Sequence, residues 1–314
     1  MASSRSVVLA ALLANGAIAV LKFLGFLATG SPSMLSETYH SISDTGNQVF
    51  LLVGIRYSGR DASRAHPFGY GKAQFFYSFL VSVLLFGIAG WESLKHGYGA
   101  LTSHGAHEAA TASVPLVGTV DAYWVNVVIL LGAIGFESYA LKKAHAGLSG
   151  QIDEYGWSGI PEAFRKTSDV TTLTAFTEDA IALGGAAIAL VGITATRYTG
   201  NGVYDAAGAV LIGLLLMGFA VALAWENKRL ILGESLSSED EDRLRAVIAE
   251  HRGVTHVDRM RTVFVGPQRV LLAADVSFDP DLVAEDIDED IHRLESELAG
   301  RDDRVKYVYI EPEV

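Results

Sequence analysis

Four polar residues recur at spacings of three, four and three in an otherwise apolar stretch: Glu37, His40, Asp44 and Asn47. On an α-helix these spacings place all four side chains on one face. His40 and Asp44 can reach the same cation, and imidazole nitrogen with carboxylate oxygen suits zinc and its first-row neighbours. The alternative is a polar stripe that packs against other helices through hydrogen bonds. Four such residues on one face inside a membrane favour a cation site.

A second apolar stretch carries the adjacent carboxylates Glu178 and Asp179. Neighbouring helical residues diverge by about 100°, so the two cannot face the same partner. We expect Asp179 to face inward as a metal ligand and keep Glu178 as an open candidate for metal or proton coupling. Asp205 begins the last apolar stretch, where a ligand and a partner of the helix dipole are equally good interpretations.

Three further ionisable residues fall in apolar stretches. Lys22 and Glu92 are interpreted as lying within snorkelling reach of a membrane interface. Glu137 is interpreted as a pore-mouth group or as an ion-pair partner.

The elements that position these residues are membrane helices. Half of the 314 residues are hydrophobic and the mean hydropathy is +0.29, which is too apolar for a soluble enzyme of this length. A bilayer-spanning helix needs roughly 20 mostly apolar residues. Six segments meet this need: Ser6–Ala28, Met34–Tyr57, Phe75–Tyr98, Ala122–Leu141, Thr171–Ile193 and Tyr204–Trp225.

The loops between these segments differ in basic charge. Every second connection, and the segment after the last span, is rich in Lys and Arg: Arg56, Arg60, Arg64, Lys72, Lys142, Lys143, Arg165, Lys166, Lys228 and Arg229. The opposite connections contain only Arg197. Basic loops favour the cytoplasmic side, so we expect a multi-pass membrane protein with both termini in the cytoplasm, in the cell membrane if the source is prokaryotic.

The chain after the last span is acidic. Residues 233–314 contain 10 Lys and Arg against 21 Asp and Glu, within a net charge of -12 for the whole chain. This acidity argues against nucleic acid as a partner, because binding to phosphates needs a basic face. Cysteine is absent, which excludes disulfides and thiolate metal sites.

The acidic tail has the pattern of a small α+β domain. The predicted order is α-β-β-α-β: Glu239–Glu250, Thr262–Val265, Val270–Phe278, Leu282–Leu298 and Val305–Ile310. We therefore predict a six-helix transport domain over residues 1–232 and a cytoplasmic domain over residues 233–314.

Three motifs resemble those of a known family. Ser36-Glu37-Thr38-Tyr39-His40-Ser41-Ile42-Ser43-Asp44-Thr45-Gly46-Asn47 resembles the second-helix signature of the cation diffusion facilitators. His66-Pro67-Phe68-Gly69-Tyr70-Gly71-Lys72 is similar to the loop motif that follows it, and Thr177-Glu178-Asp179-Ala180-Ile181-Ala182-Leu183-Gly184-Gly185 to the fifth-helix motif. The tail resembles the family's metallochaperone-like cytoplasmic domain, and the resemblance runs from Val8 to Glu313.

The resemblance implies a homodimer in the lipid bilayer that exports a divalent cation, such as Zn, Mn, Fe, Co or Cd, coupled to inward proton flow. No prosthetic group is implied. The family's central site corresponds to His40, Asp44, Ala175 and Asp179. Ala175 departs from the pattern because many members have His or Asp there. Water, Glu178 or another carboxylate must complete the ligand shell, which leaves room for a harder metal than zinc.

The family's accessory sites also differ in this chain. His66 is present in the loop motif, but Tyr70 stands where His is common. In the tail, Asp258 and Glu311 replace His, Ala274 offers no ligand, and Glu313 matches a carboxylate. Two interpretations stay open: the tail binds a weaker or harder cation, or it only dimerises.

Two other functional classes remain as alternatives. The first is a membrane-bound metal sensor or scaffold that binds cations without moving them. The second is a membrane enzyme that uses His40 with Asp44 or Asp179 in acid–base catalysis. The chain has no recognisable nucleophile arrangement, cofactor motif or Gly-rich phosphate loop, so transport is the preferred interpretation.

Overall fold

The computed structural model describes residues 2–102, 111–114, 118–167 and 170–313. Its long helices agree in position with the six predicted spans: α1 Ala2–Thr29, α2 Pro32–Ser58, α3 Ala73–Leu84 continued through a π-helical turn at Leu85–Gly90 into α4 Trp91–Thr102, α5 Ala122–Tyr155, α7 Val170–Thr199 and α8 Val203–Leu232. The shorter elements are α6 Ile160–Lys166, β1 Thr111–Val114 and β2 Gly118–Asp121.

Five of these helical segments are long and apolar enough to cross a membrane: Leu12–Thr29, Ala73–Thr102, Ala122–Tyr155, Ala175–Thr199 and Val203–Leu232. Helix α2 has 27 residues, more than the roughly 20 that a bilayer requires, and its polar face lowers its hydropathy. The prediction of a six-helix membrane region is confirmed. Helix α5 runs 14 residues past the predicted end at Leu141, because a helix need not stop where its apolar stretch stops.

The chain divides into two compact units, each made of two stretches of sequence. One comprises Met1–Val53 with Tyr77–Glu226, and the other comprises Gly54–Phe76 with Asn227–Val314. The second unit thus includes the connection between α2 and α3. The sequence-based domain boundary between residues 232 and 233 stays a prediction.

The core of the first unit is built on close helix packing. Side chains of Met34, Leu85, Leu130 and Leu216 are completely or almost completely buried in it. The third span and α8 approach backbone to backbone, since a Cβ added at Gly213 would lie 2.7 Å from the Leu94 amide nitrogen. Small residues at such crossings are how membrane helices gain contact area without a hydrophobic driving force.

The second unit contains a three-stranded sheet with the order β3-β4-β5, where β3 is Val254–Gly266, β4 is Arg269–Phe278 and β5 is Val305–Glu313. β3 and β4 are antiparallel, and β4 and β5 are parallel. Alternate residues of β4 are buried, as expected when one sheet face is covered. Helices α9 (Ser238–Ala249) and α10 (Ala284–Arg301) contribute Leu244, Ile248, Leu294 and Leu298 to this core.

The predicted α-β-β-α-β order is confirmed, with two corrected strand ends. β3 begins at Val254 rather than Thr262, and β5 ends at Glu313 rather than Ile310. Most of the added residues are exposed or half-buried and polar, so they lack the apolar alternation that marks a strand in sequence.

Candidate metal-transport site

The four polar residues of α2 are buried together, as their spacing predicts. Glu37, His40, Asp44 and Asn47 are between 0% and 7% exposed. Three hydroxyl groups of the same helix donate to backbone carbonyl oxygens four residues earlier: Ser36 to Pro32, Thr38 to Met34 and Thr45 to Ser41. The helix therefore presents one continuous polar face to the interior of the first unit.

Helix α7 contributes Glu178 to this face. Asn47 Nδ2 donates a hydrogen bond to Glu178 Oε2 at 2.9 Å, which joins Glu178 to the polar face of α2. We call Glu37, His40, Asp44 and Asn47 of α2 together with Glu178 of α7 the polar column. The expectation that Asp179 is the inward-facing member of the pair differs from the structure, in which Glu178 is buried and Asp179 is only half-buried.

Several side-chain nitrogen and oxygen atoms of the polar column have no hydrogen-bond partner within the described residues. They are Glu37 Oε1, both ring nitrogens of His40, Asp44 Oδ1 and Glu178 Oε1. His40 Nδ1 lies 3.4 Å from Asp44 Oδ1. Buried polar atoms without partners are rare and costly, so each calls for a proton or a bound cation. Imidazole nitrogen and carboxylate oxygen are the donor types that zinc and similar metals take.

The remaining members of the predicted central site are not assembled with these donors. Asp179 is half-buried next to Glu178 in the sequence, and Ala175 offers no ligand atom. Across the described part of the chain, no group of three His, Asp or Glu side chains is arranged to hold a metal ion. The ligand set of His40, Asp44 and Asp179 stays a prediction.

Lys22 is the main residue whose role the sequence did not reveal. The prediction that it snorkels to an interface is wrong: its side chain is 0% exposed, and its Nζ lies 2.7 Å from Glu37 Oε2. The two residues are 15 positions apart on different helices, so neither periodicity nor local spacing indicates the contact. The sequence does contain one indication of this role. A basic residue within an apolar segment must either snorkel to the membrane interface or pair with a buried acidic residue.

Asp205 lies in a separate polar cluster at the start of α8. It is completely buried and accepts hydrogen bonds from the hydroxyl groups of Ser31 and Ser33, the first at 2.7 Å. Ser33 lies in the first turn of α2 and Ser31 immediately precedes the helix, at the opposite end of the polar face from Asn47. The structure thus places Asp205 beyond the Glu37 end of the column rather than within it.

His66 lies in the connection between α2 and α3. Its ring stacks on Tyr70, with 4.1 Å between ring centroids, so the aromatic residue that replaces the family's second His packs against the first. The same connection contacts the sheet of the second unit. The Phe68 and Tyr307 rings are 5.5 Å apart, and a Cβ added at Gly71 would lie 2.5 Å from the Val265 carbonyl oxygen.

The three carboxylates predicted as accessory ligands in the tail are all exposed at one end of the sheet. Asp258 accepts a hydrogen bond from Ser277 Oγ at 2.6 Å. Glu313 pairs in register with Ser277, and Glu311 pairs with Asp275. Adjacent strands therefore bring Asp258 and Glu313 to either side of the same serine.

Outside the membrane region, Arg304 ties the α+β domain together. Its guanidinium donates to Asp302 at 2.6 Å and to Asp240 at 2.9 Å. Burial alone would raise the pKa of Asp240, but hydrogen bonds from Arg304, Ser237 and Arg243 and the charge of Arg304 hold that pKa below its ordinary value. The pKa of Arg304 is raised: burial opposes its charged form, and the two carboxylates outweigh that effect.

The fold defines a multi-pass membrane protein that carries a small α+β domain. Two family models match it in succession: "Cation efflux transmembrane domain" over residues 8–232 and "Cation efflux protein, cytoplasmic domain" over residues 236–313. The chain belongs to the cation efflux family, as the resemblance to cation diffusion facilitators predicted.

Curated relatives agree with this assignment. The chain is 28% identical over 283 residues to Metal tolerance protein C4 of Arabidopsis thaliana, covering 90% of this chain and 59% of that protein. It is 30% identical over 273 residues to the human Proton-coupled zinc antiporter SLC30A9, mitochondrial, covering 87% of this chain and 46% of that protein. It is 22% identical over 313 residues to Magnetosome protein MamM of Paramagnetospirillum magneticum, covering 99% of this chain and 88% of that protein. The chain thus spans about half the length of the first two relatives.

Proposed function

We propose that this protein exports a divalent metal cation across the membrane in exchange for protons, through the polar column between α2 and α7. The observation that carries the proposal is that buried nitrogen and oxygen atoms of His40, Asp44 and Glu178 have no hydrogen-bond partner within the described residues. Family membership supports metal efflux. One relative is named a proton-coupled zinc antiporter, which supports zinc as a substrate and protons as the counter-ion.

His40 and Asp44 hold the metal from α2, and α7 supplies a carboxylate from either Glu178 or Asp179. Ala175 leaves the α7 side without the further donor that many family members have, so water completes the shell. Oxygen-rich coordination admits Mn²⁺ or Fe²⁺ beside Zn²⁺, Co²⁺ and Cd²⁺. The two carboxylates supply the charge that favours a divalent over a monovalent ion.

Proton exchange follows from the chemistry of these ligands. Metal ligands must lose their protons before they bind, so loading the column from the cytoplasm releases protons there. Imidazole is the side chain whose charge normally changes between pH 5 and pH 8, which makes His40 a suitable coupling group. When the column opens outward, protons displace the metal and return inward with the empty site. Both termini lie in the cytoplasm, and the acidic tail joins two chains as a homodimer.

The test is proton movement in proteoliposomes that contain a pH-sensitive dye, with Zn²⁺, Mn²⁺, Fe²⁺, Co²⁺ or Cd²⁺ added singly. We expect metal-driven proton flux in the wild type and its loss in Asp44→Ala, because that carboxylate supplies both a ligand and charge. Asp153→Ala is the matched control, since Asp153 is an exposed aspartate of α5. His40→Ala should weaken metal binding and change the number of protons exchanged per metal.

Transport at the wild-type rate in Asp44→Ala would exclude this site. Metal binding without any metal movement would instead leave the sensor or scaffold as the function. Metal movement without proton flux would retain export and exclude antiport.

A further inference from the structure

The ion pair of Lys22 and Glu37 lies at one end of the polar column. Lys22 Nζ lies 2.7 Å from Glu37 Oε2, and both side chains are 0% exposed. Glu37 precedes His40 by three residues, about one turn of α2. The ammonium therefore contacts the residue that lies one turn from the proposed metal ligand, and it is fully buried there.

Glu37 is only half-satisfied by Lys22. Its second oxygen, Oε1, is buried and has no hydrogen-bond partner among the described residues. Helix α7 leaves room for this oxygen at Gly185, where an added Cβ would overlap it. The carboxylate thus has one oxygen held by the ammonium and one that is available in the space between α2 and α7.

The charge of Lys22 extends to the rest of the polar column. His40 and Asp44 follow Glu37 by about one and two turns on the same buried face of α2, so the buried ammonium lies close enough to act on both. In a site shielded from water, such interactions persist over several ångströms. Of the polar column's three carboxylates, Glu37, Asp44 and Glu178, one is balanced by the ammonium. Once a metal has displaced the protons of Asp44 and Glu178, their two negative charges match a single divalent cation.

We propose that Lys22 is a tethered cation that keeps Glu37 away from the transported metal. Lys22 is a positioning residue in this role, because it acts on the metal through Glu37. With Lys22 in place, the metal has His40, Asp44 and one α7 carboxylate, a set weak enough to release it. Without Lys22, Glu37 becomes an additional oxygen ligand and the column holds the metal too tightly to turn over. This inference rests on the proposed transport function.

The test compares Lys22→Met, Glu37→Gln and the double variant Lys22→Met/Glu37→Gln in the full-length protein. Zn²⁺ affinity is measured in detergent, and KM and kcat for Zn²⁺ are measured in proteoliposomes. We expect Lys22→Met to bind Zn²⁺ about tenfold more tightly and to turn over about tenfold more slowly, whereas Glu37→Gln binds about tenfold more weakly. The double variant should return to within about threefold of the wild-type affinity, because it removes both charges.

The opposite signs of the two single variants are the decisive result. A pair with only a structural role would weaken Zn²⁺ binding in both variants, because each leaves one buried charge unpaired. That outcome overturns the proposal. If Lys22→Met does not fold, Glu37→Gln is compared with the double variant. Removing Lys22 from Glu37→Gln should then restore affinity, and an unchanged affinity overturns the proposal.

Failure of this inference can be told apart from failure of the proposed function. Asp44→Ala is measured beside the Lys22 series. If the wild type binds and moves Zn²⁺ and Asp44→Ala does not, the column is established whatever the Lys22 variants show. If the wild type neither binds nor moves Zn²⁺, the proposed function fails first.

Discussion

Glu37 depends on a glycine of the neighbouring helix for its position. An added Cβ at Gly185 would overlap its carboxylate, whereas among the described residues the nearest atom to one at Gly184 is Leu215 Cδ1 at 4.0 Å. The two adjacent glycines of α7 thus have different environments. Gly185, unlike Gly184, must lack a side chain to leave room for the Glu37 carboxylate. Spacing predicted the polar face of α2, but it could not predict which α7 residue meets that face, because Glu178 and Asn47 are 131 positions apart.

We predict that Gly185→Ala destabilises the full-length protein relative to Gly184→Ala by about 1–3 kcal/mol, the usual cost of overpacking. Both substitutions replace glycine by a better helix former, so their difference isolates the overlap with Glu37. Thermal unfolding in detergent measures the difference. Equal melting temperatures would show that the Glu37 carboxylate can move aside at no cost.

At the scale of elements, the sequence predicts those whose burial follows a simple period. The apolar stretches predict the long helices. The strand predicted at Val270–Phe278 is close to the observed β4, in which alternate residues are buried. The first half of β3 was missed because it is mostly exposed or half-buried. The residues of the π-helical turn at Leu85–Gly90 are as apolar as the rest of the span, so the sequence contains no signal that distinguishes this turn from α-helix. Strand and helix ends depend on tertiary contacts that a local pattern does not contain.

Arg304 joins the first turn of α9 to the connection between α10 and β5, so its loss should loosen the α+β domain. We expect Arg304→Met to lower the free energy of unfolding by about 3 kcal/mol near neutral pH, the lower end for breaking a buried ion pair. Arg243→Met is the control, because the Arg243 side chain is 61% exposed and such pairs contribute little. Thermal unfolding of the full-length protein checks both variants.

The pH dependence of this cluster has a definite sign. The pKa of Asp240 is lower in the folded protein than its ordinary value of 3.8, so its stabilisation is complete above that value and is lost as the pH falls through the folded pKa. The difference in stability between wild type and Arg304→Met should therefore shrink below about pH 4. A difference that grows on acidification would contradict this assignment.

For the whole molecule, the prediction that matters most is the orientation in the membrane. Basic residues on alternate connections predict that the acidic tail is cytoplasmic and that the connection between α7 and α8 is external. The chain contains no cysteine, so single cysteines can report on sidedness without background labelling.

We expect a membrane-impermeant maleimide added to intact cells to label Asn201→Cys and not Asp303→Cys. Both residues are exposed, Asn201 before α8 and Asp303 before β5. Permeabilised cells provide the control, in which both should react. If Asp303→Cys alone were labelled in intact cells, the protein would have the opposite orientation to the one predicted.

The second compact unit is discontinuous in sequence, and this limits how members of the family can be recombined. Its sheet contacts Phe68 and Gly71, and Lys72 Nζ donates to the Ile231 carbonyl oxygen at 3.4 Å. A chimera that exchanged only the C-terminal tail would pair one parent's connection with the other parent's sheet. The module to transplant is therefore the tail together with residues 54–76, and these two stretches are expected to change in concert when such proteins diverge.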